Sequence, residues 1–297
     1  MPPVDPNGDV SVAITTYKNY EVVQECLRSF ETHEPRRVGE VIVVDNSADD
    51  ETPHTDAEFP WIRYARNSSN VHFRRAVNQG ARMATLPYLL ILNPDTYLTD
   101  GDSVAKLADI LDQDPRVGAV GPKMRGDDGL LAPQGERLPG WLYLISHRTY
   151  LNALWPDNPI QKRQLRAGAS RDVSGPVETL AAACVLVRRE EFLRAGGYDE
   201  RATIYWEEPE LSRKYRRLGL SLYYRADAFV FHHWRKGGGE FDNDATTKRY
   251  FEEGMRLYYE ISYGRAGRLT YDLLGLASAL AGALRARRRG GSRPASP

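Results

Sequence analysis

Asn93 and Asp95 flank Pro94 directly after an unbroken apolar run, Tyr88-Leu89-Leu90-Ile91-Leu92. An amide oxygen and a carboxylate two residues apart, with a rigid ring between them, suit a hard divalent cation that also grips a diphosphate. The same Asn93-Pro94-Asp95-Thr96 also spells an Asx-turn with its carboxylate satisfied by backbone amides. Three other sites add weight to the chemical reading. Asp45 closes the apolar run Val41–Val44, Glu207 and Glu208 stand just before Pro209, and His232 and His233 end the run Phe229–Phe231. Pro209 fits the first turn of a helix and places Glu208 at or near its N-cap. A carboxylate there suits a capping group. Adjacent strand residues face opposite ways, so His232 and His233 point to opposite sides of their strand.

The elements that must position these groups follow from periodicity. Val10–Thr15, Val41–Val44, Trp61–Tyr64 and Tyr88–Leu92 read as short buried strands. Helical spacing separates them, with Val22, Val23, Cys26, Leu27 and Phe30 on one face of the first helix. Strand–helix alternation with short polar turns predicts a doubly wound, mostly parallel sheet. Each strand carries polar residues to the same edge: Thr15, Thr16 and Tyr17, then Asp45, then Asn67 and Asn70, then Asn93 and Asp95. Open α/β sheets bind ligands at that edge, and the convergence describes a nucleotide-sized cleft. No G-x-G-x-x-G follows the first strand and no P-loop occurs, so an ordinary dinucleotide or NTP cradle is not expected. Further on, a helix is expected at about 102–113, a strand over Val117–Lys123 and irregular chain over 124–172. Val185–Val187 reads as a strand and Arg189–Leu193 as a short helix. Two separate strands are expected at Leu220–Tyr224 and Phe229–Phe231.

Composition narrows the class. The 297 residues carry 27% charged and 41% hydrophobic side chains with a formal net charge of zero, which disfavours a nucleic-acid binder. Five basic residues, Arg285, Arg287, Arg288, Arg289 and Arg293, lie beyond Leu284 with no acid among them, so the rest is net acidic. Cys26 and Cys184 lie in apolar segments and have no disulfide or metal spacing. The start, Met1-Pro2-Pro3-Val4-Asp5-Pro6, lacks signal-peptide features, so the catalytic part is expected in the cytoplasm.

Taken in order, these motifs resemble the family 2 inverting glycosyltransferases of the GT-A fold, particularly the bacterial rhamnosyltransferase-like branch, from about Val10 to Gly264. Val41–Ser47 resembles V-D-N-x-S, Asn70–Gly80 resembles N-x-G-F-A-R-G-x-N-x-G, and Asn93–Thr96 resembles the N-P-D-T form of the metal-binding D-x-D. Ala182–Asp199 resembles V-R-R-x-x-F-x-x-x-G-G-F-D, and Trp206–Leu211 resembles F-E-D-V-D-L. The resemblance implies a metal-dependent inverting transfer of a hexose, such as rhamnose, from a dTDP- or UDP-sugar to a glycan or polyprenyl-linked hydroxyl. It implies Glu208 or its neighbour Glu207 as base, and Mg²⁺ or Mn²⁺ on Asp95, Asn93 and His232. The donor would be bound through Thr15, Tyr17, Asp45, Asn70, Arg75, Asn78 and Asn93. The chain departs from the pattern at His72, which replaces a glycine, and at Thr179–Ala183, which replaces a small Ser-Gly-Ala turn. It departs again at Glu207-Glu208-Pro209-Glu210, where a glutamate stands for the aspartate base. A non-catalytic nucleotide-sugar scaffold is the alternative that these departures support.

Residues 1–264 are expected to form the transferase domain, with a nucleotide-sugar half to about 123 and an acceptor half beyond. Gly237-Gly238-Gly239 suggests a lid. Leu269–Leu284 is apolar but too short to span a bilayer. Leu273, Leu276, Leu280 and Leu284 lie on one helical stripe beside the arginines. The pattern predicts an interfacial helix over 269–289 facing anionic lipid at the inner face of the plasma membrane; packing against the sheet is the competing arrangement.

Overall fold

The computed structural model describes residues 3–49, 51–131, 135–149, 151–165, 171–233 and 244–290. Apolar runs with β-branched residues form β1 (Val10–Thr16), β2 (Val38–Asp45), β3 (Arg63–Arg66) and β4 (Tyr88–Leu92), all parallel in the order β3-β2-β1-β4. α1 (Tyr20–His33) and α2 (Phe73–Met83) make the crossovers. Both faces of β1 are covered, as parallel strands require. Val10, Val12 and Ile14 pack with Val23, Leu27 and Phe30 of α1 in one core, while Ala13 packs with Ala76, Val77 and Ala81 of α2 in another. α2 comes close because Gly80 has no Cβ; one would lie 2.9 Å from that of Ala13.

The second half of the sheet is mixed. β8 (Cys184–Arg188) runs antiparallel to β4 and to β6 (Val117–Arg125), and β9 (Ser221–His232) runs parallel to β6. β5 (Thr96–Leu98) and β7 (Gly175–Val177) both pair antiparallel with β9. α3 (Ser103–Gln113) packs beneath β6 and β9, close to the expected 102–113. α7 (Arg189–Arg194) follows β8, and α8 (Glu207–Arg217) precedes β9.

Several expectations are corrected. The two strands read at Leu220–Tyr224 and Phe229–Phe231 are one strand, β9, continuous through a register shift opposite Pro122 and Lys123. The stretch read as irregular contains α4 (Trp141–Arg148), α5 (Leu151–Leu154) and α6 (Pro159–Gln164). Helices this short show too few turns for a period to emerge from sequence. The third strand begins at Arg63 rather than Trp61. The glycine-rich segment Gly237–Gly239 lies outside the described residues.

The last helical run, α9 (Asp244–Gly290), is broken at Gly264, whose φ of 65° departs from helical geometry. The two limbs fold back on each other. Arg256 pairs with Asp272, Tyr271 donates to the Glu252 carbonyl, and a Cβ at Gly267 would lie 2.0 Å from the Tyr259 carbonyl oxygen. A third apolar cluster joins this hairpin to α4 through Leu144, Trp206, Met255, Tyr258, Tyr259 and Tyr271.

Candidate active site

The carboxyl ends of the parallel strands meet as expected. Asp45 ends β2 fully buried, and its Oδ2 accepts from the Tyr64 hydroxyl at 2.5 Å and the Arg66 Nε at 3.0 Å. Its Oδ1 accepts from the Ser47 amide at 2.7 Å. Tyr64 and Arg66 belong to β3, so one strand's side chains hold the acid of the next; nothing in their spacing signals that role. Thr16, Asp45, Ser47, Thr52 and Thr55 line a shallow recess beside α1. Thr16 adds a buried hydroxyl without a hydrogen-bond partner. Thr15 and Tyr17 sit on either side of it along the chain. Thr15 is buried, and Tyr17 is half-exposed.

At the end of β4, Asn93 and Asp95 are brought to His232 by the β5–β9 pairing, in which Thr96 stands opposite His232. Asp95 Oδ1 lies 3.2 Å from His232 Nε2, both side chains being buried. His233 points the other way, to Asp127 and to the rings of Tyr97 and Phe231. Asn93 Oδ1 is buried without a hydrogen-bond partner. Among the described residues no cluster of three or more His, Cys, Asp or Glu forms. The set here is one carboxylate, one imidazole and one orphaned amide oxygen. A buried carbonyl oxygen left without a donor is costly in an apo protein and cheap beside a cation, so these residues fit a divalent ion.

The turn before β8 links this group to the paired glutamates. The Asn93 amide donates to the Ala183 carbonyl at 2.9 Å, and the Ala182 amide lies 3.4 Å from Glu208 Oε1. α8 begins at Glu207 with Trp206 as N-cap, two residues earlier than an N-cap at Glu208 would put it. Its first turn therefore holds both glutamates. Tyr205 and Trp206 have φ of 72° and 70°, a region that bulky residues rarely occupy and that costs on the order of 1–3 kcal/mol each. Three contacts hold the turn. Arg74 donates to the Tyr205 carbonyl, Gly254 of α9 packs so close that a Cβ would lie 2.4 Å from that oxygen, and the Trp206 ring nests against Phe251, Tyr258 and Tyr143.

The two glutamates differ in surroundings. Glu207 is buried, its Oε1 3.6 Å from Arg74 Nε, a charge contact too long for a hydrogen bond. Burial, aided by the charge of Glu208 and opposed by Arg74, pushes its carboxyl up to about 7. Glu208 is half-exposed, and burial raises its pKa too, against the Ala182 amide. Glu136, in the loop before α4, is raised by burial and then by the charge of Glu208. Sequence reasoning missed Glu136, which lies in no motif.

Three of the expected donor contacts already have protein partners. Arg75 is largely exposed, with its Nε 3.7 Å from Glu200 Oε2. Its neighbour Arg74 is the buried one, ion-paired to Glu210 and donating to the Asp199 carbonyl at 3.2 Å. Asn78 clamps the Gly197–Tyr198 turn, donating to the Tyr198 carbonyl at 2.8 Å and accepting from its amide at 2.9 Å. Asn70 Oδ1 accepts from the His72 amide at 2.8 Å and shapes the entry to α2, where His72 has a φ of 67°. That left-handed geometry explains why a glycine would serve at position 72.

A parallel half-sheet with a buried acid on β2, a metal-ready Asn-x-Asp after β4 and a carboxylate pair at a later helix start defines a nucleotide-sugar transferase of the GT-A type. Comparison with known proteins agrees: the model of Glycosyl transferase family 2 matches residues 11–168. The N-acetylglucosaminyl-diphospho-decaprenol L-rhamnosyltransferase of Mycobacterium tuberculosis is 30% identical over 236 residues, 75% of each chain. The chain belongs to glycosyltransferase family 2 and is a glycosyltransferase. Among solved structures, GalNAc-T7 with UDP, GalNAc and Mn²⁺ superposes with a TM-score of 0.60 at 18% identity, covering 85% of this chain and 48% of that one. The chain thus spans about half the length of that relative. The Pyrobaculum calidifontis mannosyltransferase PcManGT, with GDP-Man and Mn²⁺, gives 0.54 at 17% identity, covering 95% of this chain and 76% of that one. At such identities these two speak for the fold alone.

Proposed function

We propose that this chain is an inverting hexosyltransferase that moves rhamnose or a similar hexose from a dTDP- or UDP-sugar to a hydroxyl of a polyprenyl-diphosphate-linked or glycan acceptor. The observation that carries the reading is the turn at Ala182–Ala183, bonded on one side to Asn93 and on the other to Glu208. It fixes a carboxylate base a short span from the residues suited to the leaving diphosphate. Inversion needs a base on the face opposite the leaving group. Glu208 fills that role, being the accessible member of the pair, while Glu207 is committed to Arg74. Thr16, Asp45 and Ser47 would seat the base and ribose of the nucleotide.

Asp95, Asn93 and His232 would hold Mg²⁺ or Mn²⁺, and such an ion offsets the charge that develops on a leaving diphosphate. Three similar proteins supply the context: one is named for a decaprenol-linked acceptor, and the two superposed structures contain Mn²⁺. The acceptor half is built from the loop holding Glu136, α4 and the Trp206 turn. No described helix is long and apolar enough to cross a membrane. Leu273, Leu276 and Leu280 are exposed rather than packed on the sheet, which favours an interfacial role for the distal limb of α9, on the cytoplasmic face. The side chains of Leu284 to Arg289 lie outside the described residues.

The test is transfer to polyprenyl-diphosphate-linked N-acetylglucosamine from dTDP-rhamnose and from UDP-hexoses, with the anomeric configuration of the product read by NMR. Retention of configuration, or turnover unaffected by Glu208→Gln, defeats the proposal.

A further inference from the structure

We propose that α4 and α5 join the distal limb of α9 in one docking surface for an anionic lipid bilayer, with α4 as the plate between bilayer and base. The inference rests on the acceptor reading above and extends it to residues that no sequence motif covers.

α4 has two unlike faces. Tyr143 and His147, one helical turn apart, point inward: Tyr143 lies 6.1 Å from the Trp206 ring and His147 5.7 Å from Phe251, between centroids. Leu142 and Ile145, also a turn apart, point outward and are 63% and 45% exposed. The next turn of chain exposes Leu154 and Trp155. On the distal limb of α9, Tyr271, Leu274 and Ser278 face the protein, while Leu269, Leu273, Leu276 and Leu280 are each more than half exposed at 4-3-4 spacing.

The two apolar strips are fastened edge to edge by Arg148 at the end of α4. Its guanidinium sits 4.3 Å over the Tyr271 ring and donates to the Tyr271 hydroxyl at 3.2 Å, and its backbone carbonyl accepts from Ser278 Oγ. Gly275 makes room for it, since a Cβ there would lie 2.1 Å from the guanidinium. Exposed aliphatic side chains with a tryptophan, spread over two joined elements, exceed what a monomer leaves to water without use.

Charge selects the occupant. Arg163 of α6 and Arg265 and Arg268 of α9 are exposed, with Arg268 near Glu260 at 3.6 Å and Lys162 only loosely paired with Asp157 at 4.0 Å. A second copy meeting this face about a two-fold axis would oppose like charges, whereas anionic headgroups complement them. α4 then carries bilayer contact on one face and the Trp206 wall of the acceptor opening on the other. A polyprenyl diphosphate leaving the headgroup plane would emerge beside Glu136 and Glu208.

The experiment uses the full chain with vesicles of phosphatidylcholine alone or mixed with phosphatidylglycerol. The mixed vesicles should bind the protein, and Leu142→Glu with Ile145→Glu should cut that binding on the order of tenfold while leaving nucleotide binding intact. Lipids brominated in the acyl chains should quench Trp155, with the loss of that quenching in Trp155→Phe as the check. If the double variant binds like the wild type while Leu273→Glu with Leu276→Glu does not, α4 is off the bilayer and this inference fails, though the α9 reading stands. If the wild type ignores both vesicles, both membrane readings fall while the base and metal assignments survive. A wild-type dimer that Ile145→Glu dissociates, with no vesicle binding, identifies a second copy as the occupant and overturns the proposal.

Discussion

Asn93 and Glu208, far apart in the chain, are bonded to adjacent residues of one turn, Asn93 to Ala183 and Glu208 to Ala182. In the proposed reaction, the turn would fix the distance between the place where the nucleotide leaves and the place where the proton is taken. Bond-making and bond-breaking ends of an in-line displacement need such a fixed separation. Glu208→Gln should bind nucleotide normally and lose roughly 10²–10⁴ in kcat. Equal, small losses in Glu208→Gln and Glu207→Gln, measured by donor turnover, would remove the pair from the chemistry.

Arg74 is surrounded by Glu207, Glu210 and two carbonyls and is fully buried. Removing it leaves buried Glu207 without a cation and Glu210 with Lys214 alone, so Arg74→Ala should cost about 3–5 kcal/mol in urea unfolding. Arg75→Ala, at an exposed pair, should stay within about 0.5 kcal/mol. Equal costs in the two variants would show that the buried pairs of Arg74 do not stabilise the fold.

Nucleotide binding should be linked to metal through Asp95. Calorimetry of UDP or dTDP with Mn²⁺ should show binding abolished in Asp95→Ala and weakened in Asn93→Ala, whose amide contributes an oxygen without charge. Affinity unchanged in Asp95→Ala sinks the metal assignment.

Acidity gives a signed prediction. Burial raises Glu208, and a base must be ionised, so kcat should fall with decreasing pH at a point above the ordinary carboxylate range. Glu207, pushed up to about 7 by burial, favours folding while protonated. Its stabilisation is complete below the unfolded value and is lost as pH rises through about 7, on the order of 3 kcal/mol. Denaturation midpoints compared at pH 5 and pH 8 should converge in Glu207→Gln relative to wild type.

Gly254→Ala should lower kcat without touching any reacting group, because its methyl would meet the Tyr205 carbonyl 2.4 Å away and shift the turn that carries both glutamates. Wild-type turnover in this variant would show that the turn tolerates displacement.

Sequence alone sufficed for the parallel half, because buried strands there are continuous apolar runs and their polar ends announce the cleft. Asp45, Asn93 and Asp95 lie where those runs place them. What escaped depends on contacts between distant segments. β5 is three residues long, and only its pairing with β9 seats His232, not His233, at Asp95. Arg74 and Arg75 are indistinguishable as letters; the turn of α2 decides which is buried. Asn78 reads as a ligand contact and serves as a clamp because Gly197, with a φ of 60°, curls around its amide.

Gly264 sets the outline of the molecule as much as any core residue. Without a reversal there, the 47 residues of α9 would form a rigid rod of roughly 70 Å, longer than a small domain is wide. Tyr271 would leave Arg148, and the leucine stripe would project away from the catalytic body instead of lying alongside α4. One residue without a side chain thus makes a compact foot out of what would otherwise be a mast.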